Sequence, residues 1–301
     1  MSEALLQTRG LTKKYGETTA LNQVSLTLRQ GDIYGLVGRN GAGKTTFFKC
    51  VMGLAQATAG EIEIGGEKSS LNTARRKIGF MINASSFSYL NPRQNLNYLC
   101  RAKGIRPQNE VDRLLRLVQL DGVKKPFKAF SMGMKQRLGI AGALLGSPLI
   151  VVLDEPINGL DPQGIADIRA VIQRENQEHG TTFIVSSHIL SELDLVATRF
   201  GFIEQGCLLQ EITHTALHER TQKSLVVEVN DPAKALELLR TQLGITGAAT
   251  DGRSLLLESH FDRPQEIARV LVSAGVELFR LAPQETTLEE YFMRLVGGRD
   301  A

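Results

Sequence analysis

The chain has 301 residues, 42% of them hydrophobic and 22% charged, and a net charge of +3. That balance fits one large globular domain or two smaller ones and excludes a largely disordered chain. The short basic runs Arg75-Arg76-Lys77 and Lys124-Lys125 read as solvated surface, not as a nucleic-acid-binding face. Cys50, Cys100 and Cys207 are too far apart for a metal motif or a disulfide framework, which favours a reducing compartment. No apolar run reaches the roughly 18 residues of a membrane span. Met1-Ser2-Glu3-Ala4 lacks the basic and apolar regions of a signal peptide, so a cytoplasmic chain is expected.

The first forty residues read as strands, with Val24, Leu26 and Leu28 alternating with polar neighbours. Gln30-Gly31-Asp32 turns the chain into a short apolar strand, Ile33 to Val37. A helix is predicted from Thr45 to Leu54, Gly60 ends that unit, and Glu61 to Ile64 is a further strand. From about residue 84 to 146 helical spacing takes over, with Leu114, Leu115, Val118 and Leu120 on one face and a helix opening at Ser131. Leu149 to Leu153 is a continuous apolar run, as in a central parallel strand covered on both faces. A helix from Pro162 to Gln177, a strand from Thr181 to Val185 and a hairpin around Gln205-Gly206 follow. After residue 220 strands are predicted at Leu225–Val229, Ser254–Glu258 and Val276–Leu281. They alternate with helices at Pro232–Leu243, Pro264–Ala274 and Thr287–Val296.

The chemistry concentrates at Gly38-Arg39-Asn40-Gly41-Ala42-Gly43-Lys44-Thr45, followed by Thr46. This is the form Gly, four residues, Gly, Lys, Thr, placed between a predicted strand and a predicted helix. The glycines let backbone N–H groups point inward at phosphate, and the helix adds its positive end. Lys44 is expected to reach the β and γ phosphates, and the Thr45 hydroxyl to hold Mg2+. Asp154 and Glu155 end the apolar strand, where open α/β sheets bind ligands. Asp154 is then a second Mg2+ ligand, and Glu155 the base or orienter for the water attacking the γ-phosphate. Ser131 is a good N-cap, and Gly133 leaves the first helical turn open, so this helix start can also offer donors to phosphate.

With Phe130 to Arg137 in place, the sequence resembles the ATP-binding cassette (ABC) subunits of membrane transporters over roughly residues 4 to 230. The resemblance implies an α/β phosphate-loop NTPase core with an N-terminal antiparallel β subdomain and an inserted helical subdomain. A small C-terminal α+β module completes the chain, giving domains of 1–220 and 221–301. It also implies two ATP-binding chains, a homodimer in the simplest case, paired so that the Ser131 motif of one closes on ATP held by the other. Carried over by position, Tyr15 stacks on adenine, Asp161 lies in the loop crossing the interface, and His188 contacts the γ-phosphate. Integral-membrane subunits are the implied partners, with no nucleic acid. They would hold the chain on the inner face of the membrane.

The sequence departs from the family pattern in several places. Asn83 stands where a glutamine or glutamate that senses Mg2+ is usual, and it is one methylene shorter than glutamine. Met132 replaces a common glycine, and Arg39 a common proline. The Phe130-to-Arg137 variant, the segment around Ile82-Asn83-Ala84 and the ending Thr287 to Phe292 look most like exporters of bacitracin, lantibiotics and related antimicrobial peptides. The alternatives are a soluble cassette ATPase acting on nucleic acid or ribosomes, and an unrelated phosphate-loop kinase or GTPase. The first usually carries a coiled-coil insertion or two cassettes, and the second lacks the Ser131 motif.

Overall fold

The computed structural model describes residues 4–68, 75–82, 86–106, 109–220, 223–245, 248–257, 263–285 and 287–297. Contacts divide the chain into two compact units, Met1–His214 and Thr215–Ala301.

The first unit holds two sheets. Strands β1 (Ala4–Tyr15) and β2 (Thr18–Arg29) pair antiparallel, and β4 (Ala59–Ile64) and β5 (Glu67–Lys68) extend them in the order β2-β1-β4-β5. The larger sheet contains β3 (Ile33–Val37), β6 (Ile78–Ile82), β7 (Ile150–Asp154), β8 (Thr182–Ser187), β9 (Arg199–Glu204) and β10 (Cys207–Thr213). Its order is β10-β9-β3-β8-β7-β6, parallel throughout except for the β9–β10 hairpin. Every residue of β3 and β8 is buried, as expected of strands covered on both faces.

Helix α1 (Lys44–Val51) runs between the two sheets. Phe47, Phe48, Cys50 and Val51 share one core with Leu6, Leu26 and Leu28 of the antiparallel sheet and with Leu36, Val152 and Ile184 of the parallel one. The helix is shorter than the predicted Thr45–Leu54, because Leu54 and Ala55 turn back to donate to the Lys49 carbonyl. Burial on both sides compensates for a length at which an isolated helix would not form.

Helices α2 (Pro92–Lys103), α3 (Glu110–Leu117) and α4 (Met132–Leu144) form the inserted helical region. Asn91 and Gln94 make a reciprocal capping box at the start of α2. At its other end Lys103 Nζ donates to the carbonyls of Gly142 and Leu145, tying α2 to the end of α4, and burial pulls its pKa down. Strand β6 approaches α4 so closely that a Cβ on Gly79 would lie 1.8 Å from the Ala143 carbonyl oxygen. Helix α5 (Pro162–His179) covers β8, and the short helix Leu190–Asp194 completes this unit; a further short helix, His214–Arg220, spans the boundary between the units in the chain.

The second unit runs β11 (Lys223–Val229), α6 (Pro232–Leu243), β12 (Ala248–Asp251), β13 (Ser254–Leu257), α7 (Pro264–Ser273), β14 (Leu278–Glu285) and α8 (Leu288–Gly297). Its antiparallel sheet has the order β12-β13-β11-β14, the split βαβ arrangement. Leu225, Val227 and Val229 of β11 meet Leu239 of α6 and Ile267 and Leu271 of α7 in a separate core. The predicted strand Val276–Leu281 is instead Leu278–Glu285, drawn out by pairing with β11. Strand β12, with the sequence Ala-Ala-Thr-Asp, lacks an apolar alternation and forms by pairing with β13.

Two outcomes follow from this packing. Gly79→Ala is expected to cost about 1–3 kcal/mol by overpacking, read as a lower urea midpoint. Cys50 and Cys100 are buried, which pushes their thiols up, whereas Cys207 is half-buried. Maleimide labelling of the native chain should therefore modify Cys207 first, and all three cysteines only after denaturation.

Candidate active site

The loop from Gly38 to Gly43 connects β3 to α1 at the carboxyl edge of the parallel sheet. Its path requires glycine at two crowded points. A Cβ on Gly38 would lie 2.3 Å from the Ile203 carbonyl oxygen of β9. Gly43 has φ 110°, and a Cβ there would lie 2.7 Å from the Ala20 carbonyl oxygen of β2. The adjoining turn closes the other side, where Gly206 N–H donates to the Ala42 carbonyl at 2.9 Å. The resulting hollow of about 190 Å3 is lined by Arg39 to Thr46 together with Ala20 and Glu155. Asn40 and Gly41 are thus part of its wall.

Lys44 is buried. Its Nζ donates to the carbonyls of Gly38 at 2.6 Å and Arg39 at 3.2 Å, and lies 3.2 Å from Glu155 Oε1. His188 Nδ1–H donates to the other oxygen of the same carboxylate at 2.9 Å. Glu155 therefore sits between two cationic or donor groups brought from α1 and from just beyond β8. Its φ of 48° lies in the left-handed region, which costs a non-glycine residue about 1–3 kcal/mol.

The neighbouring carboxylate is equally well held. Thr45 Oγ1 donates to Asp154 Oδ2 and Ser186 Oγ donates to Asp154 Oδ1, each at 2.7 Å. Ser186 Oγ also accepts from the Glu155 N–H at 2.9 Å. Threonine hydroxyl and aspartate oxygens, meeting beside the phosphate loop, are the hard donors that suit Mg2+. Asn83, the third expected ligand, lies outside the described residues. Arg39 points the other way, with its guanidinium 4.0 Å from Glu204 Oε1 at the end of β9.

Other predicted residues collect elsewhere. Ser131, Gly133 and Asp161 line a second hollow of about 420 Å3, and no residue lines both hollows. Within it, Ser131 Oγ accepts from the Met134 N–H at 3.4 Å and Asp161 Oδ1 from the Gly164 N–H at 3.0 Å, so both cap their helices. Tyr15 ends β1 and is exposed. It stays outside the phosphate hollow, with Lys13 Nζ 4.6 Å from its ring centroid.

Residues 21–158 match the family model described as ABC transporter. The bacitracin transport ATP-binding protein BcrA of Enterococcus faecalis is 38% identical over 300 residues, covering 98% of this chain and 97% of that protein. This chain belongs to the ABC transporter family. The lantibiotic transport ATP-binding protein SrtF of Streptococcus pyogenes is 41% identical over 209 residues, 69% of this chain and 90% of its own. Among solved structures, the dimeric cassette MJ0796 bound to ADP and Pi matches with a TM-score of 0.63 and 25% identity, covering 69% of this chain and 98% of that one. The ABC subunit is an ATP-binding and ATP-hydrolysing component of a transporter. Among the described residues no helix is long and apolar enough to cross a membrane.

Sequence reasoning passed over one residue of the ABC site. Ser186 is fully buried and links Asp154 to Glu155, and its place just beyond the predicted strand Thr181 to Val185 assigned it no role. The available signal was a hydroxyl directly after the apolar stretch Phe183 to Val185 of β8, which must find partners when buried. Ser186→Ala leaves the Glu155 N–H and one Asp154 oxygen unpaired. It is expected to slow ATP turnover roughly tenfold and to cost about 1–3 kcal/mol of stability, measured by steady-state hydrolysis and urea denaturation.

Proposed function

We propose that this ABC subunit powers export of an antimicrobial peptide or a similar amphipathic cargo. The support for the cargo class is the bacitracin and lantibiotic transport of its relatives. Those relatives also favour transport over the nucleic-acid or ribosome alternative.

The observation that carries the mechanism is the separation of the two hollows. A single chain has the phosphate loop in one hollow and Ser131, Gly133 and Asp161 in the other, with no residue in common. Two chains arranged head to tail, a homodimer in the simplest case, place the Ser131 wall of each over the phosphate loop of its partner. The N–H groups of the loop and the Lys44 ammonium then bind the ATP phosphates, and the Ser131 helix start supplies donors from the opposite side. Tyr15 offers an exposed ring to adenine at the outer end of this arrangement.

Thr45 and Asp154 would hold Mg2+, and this ion, when bound, would offset charge on the phosphate oxygens. The Glu155 carboxylate takes the proton of the attacking water. His188 orients that carboxylate and donates toward the γ-phosphate. As Lys44 engages phosphate, its contact with Glu155 weakens and one carboxylate oxygen becomes available to water.

The membrane partner is proposed to dock beside α2. Phe87, Tyr89 and Tyr98 are exposed together, with the Phe87 and Tyr98 ring centroids 4.3 Å apart. Ser86, Phe87, Asn95 and Leu99 border a hollow of about 290 Å3. Asn95 is buried and pins this segment. Its Oδ1 accepts from the Phe87 N–H at 2.8 Å, and its amide donates to the Leu90 carbonyl at 3.1 Å and the Asn91 carbonyl at 3.2 Å. Exposed aromatic groups clustered on a pinned loop and the helix that follows it are typical of a protein-binding surface. This docking would hold the subunit on the inner face of the membrane.

Glu155→Gln should retain ATP while turnover falls by roughly 10²–10⁴-fold, measured by nucleotide retention and phosphate release. Unchanged hydrolysis would refute the assignment of the base. Affinity purification of the tagged chain from detergent-solubilised membranes should recover a polytopic membrane protein. Recovery of ribosomes or DNA in its place would overturn the transporter partner.

A further inference from the structure

Glu175 is the most deeply buried carboxylate outside the phosphate site among the described residues, 1% exposed, and no step of hydrolysis uses it. It lies on α5, the helix that covers β8. Its partner is Arg113 of α3, whose Nη1 donates to both carboxylate oxygens, the second at 3.2 Å. His179 Nδ1 lies 3.3 Å from the same group, one turn further along α5. Arg113 is fixed at its base, because Val111, Leu114 and Leu115 around it are buried in the helical region. Helix α3 in turn packs on α4, the helix that begins at Ser131.

The same helix is held directly to α4 as well. Arg137, in the second turn of α4, lies 3.6 Å from Asp167 of α5. Asp167 and Glu175 are eight residues apart, or about 12 Å along a helix. One ion pair leaves a pivot, whereas two at that spacing define a direction. Arg137 and Asp167 line the Ser131 hollow, so the near pair belongs to that half-site. The far pair does not. A cavity of about 480 Å3 borders Arg113, Glu175 and His179.

We propose that the Arg113–Glu175 pair is a positioning device, remote from ATP, that sets the angle at which α4 presents Ser131 to the nucleotide of the partner chain. This rests on the shared-site reading above. A buried carboxylate cannot be left without its cation at low cost, so the pair constrains α3, and through it α4, more strongly than an exposed pair would. Its loss should change turnover while leaving nucleotide binding to the phosphate loop intact.

The test uses the full chain as wild type, Glu175→Gln, Arg113→Lys and the charge exchange Arg113→Glu with Glu175→Arg. Three readouts are taken: affinity for a fluorescent ATP analogue, kcat against chain concentration, and thermal melting. Glu175→Gln should bind the analogue within about twofold of wild type while kcat falls roughly tenfold. Arg113→Lys, which keeps the charge, should recover much of that loss. The charge exchange should exceed the Glu175→Gln rate if it melts like wild type. A folded Glu175→Gln chain with unchanged kcat overturns the proposal. So does a parallel fall of affinity, kcat and melting temperature in both single variants, which marks a purely structural pair. The shared-site reading fails separately, if wild-type turnover per chain does not rise with chain concentration.

Discussion

The Glu155 carboxylate, held between the Lys44 ammonium and the His188 imidazole, ties together the ends of three elements on which the site depends. Lys44 belongs to the first turn of α1, Glu155 follows β7, and His188 follows β8. None of these groups is near another in sequence. They meet because β3, β8 and β7 are hydrogen-bonded neighbours in one parallel sheet and therefore end on the same edge. The left-handed backbone at Glu155 is the local cost of turning the carboxylate toward Lys44. Ser186 offsets part of it by accepting from the strained residue's N–H while donating to Asp154.

That edge needs a rigid base, and the core under α1 provides it. Phe47 and Phe48 are fully buried between the antiparallel sheet and the parallel one, so the phosphate loop cannot drift relative to Asp154. The helical region follows a different rule. It meets the sheet through a backbone approach at Gly79 and through ion pairs from Arg113 and Arg137 to α5. Close apolar packing fixes the catalytic edge, while directional polar contacts orient the second half-site. The two halves of a shared ATP site thus rest on different kinds of interaction.

Much of this was legible in the residues. The apolar run Leu149 to Leu153 specified a buried strand, and the Asp-Glu pair that follows it lies at the sheet edge. Ser131, as an N-cap, and Pro162 marked helix starts, and the helices begin there; the cap that Asp161 supplies to the second became visible only in the structure. Strand β12 was not legible, since Ala-Ala-Thr-Asp becomes a strand only by lying against β13. The role of Ser186 was hidden for the same reason: a hydroxyl acquires its partners from other strands.

The sequence by itself determined the family, the phosphate loop and the chemical groups available for ATP hydrolysis. Those depend on residue type and short spacing, which the chain carries locally. Only the tertiary structure decided that Glu155 lies between Lys44 and His188, that Ser131 and Asp161 share a hollow apart from the phosphate loop, and that Arg113 reaches Glu175. Each of these is a contact between residues far apart in the chain. It is set by strand order and helix packing, which local periodicity does not encode.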